Sequence, residues 1–313
     1  MNRSSLGKIA IVGSGAVGCY YGGMLTHAGH DVHFLMRADL DAVRRDGLVI
    51  FSKGTEVRLP QVQCAGTTDE IGPADMVLIA LKATANRELE RLLPPLIGGG
   101  TALLTLQNGL GNEDFLAERW GAERVMGGLC FVCINRTAPG VIRHLDHGSI
   151  SIGEFRRPVS GRARAMADAF GAVEVEANAV DDLEDERWRK LLWNIPFNGL
   201  SIAAGATVAD VLADAGLRAL ARSLMGEVLD AARRLGHGIP DAFADWQLER
   251  SDSMGSYRPS SMIDYELGRP VEAEAIWGEP LRQGLAAGAK MPKLEALHAV
   301  IRHVAERRAL RGA

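Results

Sequence analysis

Three polar side chains recur every four residues in an otherwise apolar stretch, "RWRKLLWNIPFNGLS" (187–201). Lys190, Asn194 and Asn198 stand there among Leu, Ile, Phe and two tryptophans. On a helix each step of four residues advances about 40° past a full turn, so the three tips form one stripe flanked by apolar surface. An ammonium in such a stripe can stabilise negative charge developing on a carbonyl oxygen and hand over a proton, while carboxamides beside it orient a polar substrate. The plainer alternative is a lysine that snorkels to solvent and asparagines that satisfy buried backbone groups. Spacing alone divides the two readings evenly. Pro196, inside the same run, removes one backbone donor and predicts a kink.

Hydride for such a carbonyl needs a carrier, and the N-terminal half has the pattern of a carrier's site. "KIAIV" (8–12) is a short β-branched apolar run ending in "GSGAVG" (13–18). A helical pattern follows, "CYYGGMLTHAG", and then a second strand, "DVHFLMR" (31–37). Strand, G-x-G-x-x-G, helix, strand is the order the dinucleotide fingerprint requires, which an isolated glycine-rich turn would lack. Gly13 allows the tight turn and Gly15 lets backbone approach a pyrophosphate. Gly18 lets the helix pack on the strand with its first amides toward the phosphates. Gly13, Ser14, Gly15, Ala16, Val17 and Gly18 are therefore candidate cofactor contacts.

The tip of the second strand selects the cofactor. An NAD site places an acid there for the ribose 2′-hydroxyl, and an NADP site offers an arginine to the 2′-phosphate. Here Arg37 holds the tip and the nearest acid, Asp39, comes two residues later, which favours NADPH over a merely solvated arginine. Two further strand ends carry Lys82, in "DMVLIALKAT" (75–84), and Asn108, in "TALLTLQNG" (101–109). Ligands of an open parallel α/β sheet bind outside the carboxyl ends of the strands, so the glycine loop, Arg37, Lys82 and Asn108 are expected to converge on one crevice. Residues 125–155 are β-rich with Gly and Pro punctuation and read as strands finishing the sheet.

From about residue 178 the pattern is helical. "DDLEDERWRKLLWN" opens with acids suited to a helix N-terminus, and Ala- and Leu-rich segments continue to the C-terminus. The expected fold class is α/β: a Rossmann-type doubly wound sheet over 1–177, followed by an all-α domain over 178–313, with a cleft between them as the default place for substrate. Among the 313 residues, 35 Lys and Arg against 39 Asp and Glu give a net charge of -4, no electrostatic case for nucleic acid or an anionic membrane. No apolar run has the length of an export signal or a membrane span, so a cytoplasmic protein is expected. The apolar helix faces of the second half can serve a homodimer as readily as a core. The four cysteines are too few for a disulfide scaffold of this size. "CFVC" (130–133) lies in a strand-like stretch, where residues three apart face opposite sides, and has no partner motif; it reads as two buried thiols. "HLDH" (144–147) fails as a metal site for the same spacing reason, so no metal is expected.

The combination of "GSGAVG" near the N-terminus, "LKA" (81–83), "LQNG" (106–109), "WRKLLWNIPFN" (188–198) and "SSM…VE" (260–272) resembles the ketopantoate reductase family, in the family's order and over most of the chain. The resemblance implies a Rossmann domain followed by an all-α domain, and NADPH-dependent reduction of 2-dehydropantoate to pantoate in pantothenate biosynthesis. It matches Lys190 to the proton donor, Asn194 and Asn198 to substrate-binding asparagines, and Asn108 to one lying between cofactor and substrate. Ser261 matches a serine that binds the substrate carboxylate, and Glu272 a glutamate near the nicotinamide that helps arrange the site. Lys82 and Arg37 match cofactor contacts, and Cys133 falls where the backbone touches the cofactor. Read from the residues alone, Ser260 and Ser261 stand where a helix starts and would ordinarily cap it. The chain departs from the family in three places. The spacing from the serine pair to Glu272 is one residue shorter, "AIWG" with Trp277 stands where many members read Asn-Gly, and Asn198 is followed by Gly rather than Pro. A bulky indole near the cleft would reshape a pocket, so a reductase of another 2-oxo acid, of the D-mandelate dehydrogenase type, is the alternative. A non-catalytic NADPH sensor is the third reading.

Overall fold

The computed structural model describes residues 6–312, with side chains described through Arg308. Two compact units are present. The first comprises the chain up to Gln107 together with Asn112–Leu183; the second comprises Asn108–Gly111 and everything from Glu184 onward.

The described part of the first unit forms one sheet of ten strands. In chain order these are β1 (Lys8–Val12), β2 (Asp31–Leu35), β3 (Leu48–Ser52), β4 (Thr55–Leu59) and β5 (Gln63–Ala65), then β6 (Ala74–Ile79), β7 (Ile97–Thr105), β8 (Val125–Ala138), β9 (Val141–Glu154) and β10 (Ala177–Ala179). Their spatial order is β4-β3-β9-β8-β7-β6-β1-β2-β5, with β10 paired to β9. From β8 to β5 every pairing is parallel. Parallel strands lie buried on both faces and so read as unbroken apolar runs; "KIAIV" becomes β1 for this reason. The winding reverses between β1 and β6, since the chain runs outward from β1 to β2 and later returns to β1's other side at β6. That reversal makes a switch point, with Gly13 at the carboxyl end of β1.

Residues 125–155 form β8 and β9, an antiparallel pair whose register slips at Phe131/Val132 and again at Cys133/Ile134. The slips break strict alternation, and Cys130 and Cys133 are each only half-buried rather than buried as expected. Helix α1 (Ala16–His27) and helix α2 (Leu40–Asp46) follow β1 and β2. One face of the sheet packs a core around Ile11, Phe34, Ile50 and Phe170, and the other a core around Ile79, Leu103, Leu116 and Phe155.

The described residues of the second unit are helical. Helix α3 (Leu183–Ala204) has 22 residues, carries Glu184, Asp185 and Glu186 in its first turn, and runs through Pro196 without ending there. Helix α4 (Ala215–Arg234), helix α5 (Ser260–Glu266), helix α6 (Glu279–Ala286) and helix α7 (Pro292–Gly312) pack with it through Trp188, Leu192, Ile195, Val228, Leu294 and Ile301. Just before α6, residues Glu274–Gly278 wind as one π-helical turn. No helix among the described residues is long and apolar enough to cross a membrane.

Candidate active site

In the first unit the glycine loop has the shape a dinucleotide needs. Gly13 sits at φ +107°, and a Cβ there would lie 2.4 Å from the Leu81 nitrogen; a Cβ on Gly18 would lie 2.2 Å from the Gly13 oxygen. Only glycine fits either place. A Cβ on Gly15 would meet nothing within 4 Å, so the loop presents bare backbone to open space. Gly15 is also the N-cap of α1 and no side chain caps that end, leaving the amides around Ala16 and Val17 to bind phosphate oxygens. Ser14 fixes the loop from below by donating its hydroxyl to the Leu35 carbonyl at 2.7 Å, a tie to the last residue of β2. These features fit a dinucleotide. Arg37 follows β2, is exposed, and forms no side-chain hydrogen bond or ion pair among the described residues. Lys82, half-buried with extended backbone, stands three residues past β6, and Cys133 lies on β8.

Sequence reasoning missed Asn86. Its carboxamide accepts from Gln107 Nε2 at 2.7 Å and donates to Asn112 Oδ1 at 3.0 Å. Gln107 and Asn112 are the residues on either side of the Asn108–Gly111 loop, both buried, and Thr105 in turn donates to Gln107 Oε1 at 2.9 Å. A clamped stem gives the loop a defined span. The nearest signal in the sequence was the density of amides around "LQNGLGN".

In the second unit the loop and α3 meet. Lys190 Nζ donates to Asn108 Oδ1 at 2.8 Å. Leu110 N–H donates to the Ala275 carbonyl at 2.9 Å, which ties the loop to the π-turn. The contact requires glycine at 109, where φ is +83° and a Cβ would lie 2.1 Å from the same Ala275 oxygen. Along α3 the stripe is real, and Asn194 and Asn198 are both buried. Asn198 Nδ2 donates to the Asn194 carbonyl at 3.1 Å, and its Oδ1 accepts from the Ser261 backbone N–H at 3.2 Å. α5 starts at Ser260 as expected, but neither serine caps it; Asn198 satisfies one of its orphan amides from another helix. Ser261 is buried at that junction, and Glu272 is buried, its backbone carbonyl accepting the Ile276 N–H at 3.1 Å. Trp277, in contrast, is 0% exposed and donates its indole N–H to the Ile195 carbonyl at 2.9 Å. It is a core residue behind the stripe, so the expectation that it would reshape a pocket is corrected.

A bare glycine loop at the switch point of a doubly wound sheet, an arginine past β2 with no side-chain partner among the described residues, and a lysine held by an asparagine in a mainly helical unit define a nicotinamide-dependent oxidoreductase of the Rossmann type. More narrowly, the chain belongs to the ketopantoate reductase PanE/ApbA family, whose profiles match residues 9–157 and, for its C-terminal part, 182–305. It is 40% identical over 296 residues to the 2-dehydropantoate 2-reductase of Nostoc sp. (strain PCC 7120), covering 93% of each chain. The crystal structure of 2-dehydropantoate 2-reductase from Geobacter metallireducens GS-15 is similar at a TM-score of 0.92 and 45% identity, with 95% of this chain and 99% of that one aligned. A D-mandelate dehydrogenase structure with NADH and anilino(oxo)acetate aligns at a TM-score of 0.85 over 96% of this chain and 99% of that one; at 22% identity it shows the shared fold.

Proposed function

We propose that the protein reduces 2-dehydropantoate (ketopantoate) to pantoate with NADPH, in pantothenate biosynthesis. Bound NADPH supplies the hydride. The loop from Gly13 through Ser14, Gly15, Ala16 and Val17 to Gly18 holds the pyrophosphate, Arg37 takes the 2′-phosphate, and Lys82, Cys133 and Asn108 add contacts along the nucleotide. Lys190 donates its proton to the ketone oxygen as charge develops there. Asn194, Asn198 and Ser261 bind the substrate, with Ser261 toward its carboxylate, and Glu272 helps to arrange the reacting groups near the nicotinamide. After its two observed bonds Asn198 keeps one amide hydrogen and one oxygen lone pair for that purpose.

The observation that carries this reading is the 2.8 Å bond from Lys190 Nζ to Asn108 Oδ1, which fixes the ammonium beside the loop that the reading sets between cofactor and substrate. Initial rates with ketopantoate, 2-oxo-isovalerate and phenylglyoxylate, each with NADPH and NADH, test it. Ketopantoate with NADPH is expected to give the highest kcat/KM. Slow ketopantoate beside brisk phenylglyoxylate would assign the D-mandelate type of reaction instead, and no turnover of any of the three beside firm NADPH binding would leave a sensor.

A further inference from the structure

Asp39 is the acid nearest the tip of β2. It occupies the cap position of α2, yet its carboxylate caps nothing there. The side chain turns inward instead, is 10% exposed, and its Oδ2 accepts from Nη1 of Arg136 at 2.7 Å. Arg136 comes from β8, 97 residues further along, so this pairing is a product of the fold rather than of local sequence. Two residues before Asp39, Arg37 stands exposed and unengaged among the described residues. The same corner reaches the glycine loop. Cys19 Sγ donates to the Ser14 carbonyl at 3.3 Å, and its thiol, pushed up to about 12 chiefly by burial, is raised further by Asp39 and drawn back by Arg136.

A bare carboxylate at that place would accept from a ribose 2′-hydroxyl and repel a 2′-phosphate. We propose that Arg136 is a second specificity-determining residue: by pairing with Asp39 it cancels the acid that would favour NADH and leaves Arg37 to select NADPH. This rests on the NADPH reading above and goes beyond it by dividing the preference between an arginine that attracts the phosphate and one that silences its competitor.

Dissociation constants for NADPH and NADH, read from nicotinamide fluorescence on the intact protein without turnover, test the idea. The parent protein reports on the reading itself: NADPH is expected to bind tighter, and equal or reversed affinities would remove both the reading and the proposal. In Arg136→Gln, NADPH is expected to weaken about tenfold as the acid is bared, with NADH unchanged or tighter. Arg136→Lys is expected to keep the parent's preference. Asp39→Asn combined with Arg136→Gln is expected to bring NADPH back to within about threefold of the parent, because no acid remains to be silenced. Equal weakening of both cofactors in Arg136→Gln, unrepaired in the double variant, overturns the proposal while leaving the parent's NADPH preference standing. Should Arg136→Gln fail to fold, Asp39→Asn alone decides: NADPH bound as tightly as before supports the proposal, and looser binding of both cofactors overturns it.

Discussion

Lys190 and Asn108 are expected to act as one device, and a double-mutant cycle can measure that. Nζ donates to Oδ1 at 2.8 Å, a short bond from a charged donor. Hydrogen bonds to charged groups contribute about 1.5–3 kcal/mol. If Asn108 matters to kcat by aiming the ammonium, Asn108→Ala costs roughly ten- to a hundredfold, since each 1.4 kcal/mol or so is a factor of ten. Lys190→Ala removes the positioned acid itself and costs about 10²- to 10⁴-fold. Independent roles would multiply to at least about 10³-fold in the double variant. Roles exercised through one ammonium leave the double variant near the Lys190→Ala value, because nothing remains for Asn108 to aim. The assay is kcat from NADPH oxidation at saturating ketopantoate, paired with NADPH affinity by fluorescence to separate chemistry from cofactor binding. Multiplicative losses, or a fall in NADPH affinity that accounts for the whole effect of Asn108→Ala, would refute the coupling.

Gly109→Ala sets a Cβ 2.1 Å from the Ala275 oxygen at φ +83°, so a loss of about 2 kcal/mol or more is expected, with kcat falling as Asn108 shifts; thermal denaturation and steady-state kinetics check it. Glu154 is buried, and although burial raises its pKa, Arg162 and Ser160, helped by Arg157, outweigh that and hold the carboxyl below its usual range. Its contribution is therefore full above the unfolded carboxyl pKa and lost as pH falls through the folded one. Glu154→Gln is expected to cost about 1–3 kcal/mol at neutral pH and to flatten the acid limb of stability measured by denaturant titration. Arg37→Ala is expected to raise the KM for NADPH about tenfold and leave that for NADH within about twofold; equal effects on both would mean the residue does not meet the 2′-phosphate.

What was legible in the sequence is what short stretches of chain decide. The glycine loop could be read because Gly13 and Gly18 answer to backbone limits set by their neighbours, and β1, β2 and β6 because doubly buried strands are continuous apolar runs. The lysine-asparagine stripe could be read because helical periodicity alone aligns it. What escaped is the set of contacts between distant segments: Asn198 with Ser261 across 63 residues, Lys190 with Asn108 across 82, and Arg136 with Asp39 across 97. Spacing left Asn198 open to either role, substrate contact or partner for buried backbone, and no local rule says that its oxygen is engaged by another helix's first turn.

The departures from the family pattern make the same point about tertiary context. In the sequence, glycine after Asn198 and tryptophan at 277 looked like separate changes, the second of them threatening the substrate. In the fold they touch. A Cβ on Gly199 would lie 2.9 Å from the indole nitrogen of Trp277, and that nitrogen donates to the Ile195 carbonyl one turn back along α3. A larger residue at 199 would displace the indole and strip the bond from a group that is fully buried, so the small residue and the large one are a matched pair. Their joint effect is to fill the core behind α3 and to brace it. Lys190, Asn194 and Asn198 then project from a helix locked on its apolar side. The tryptophan that stood out in the sequence is thus part of the packing that holds α3.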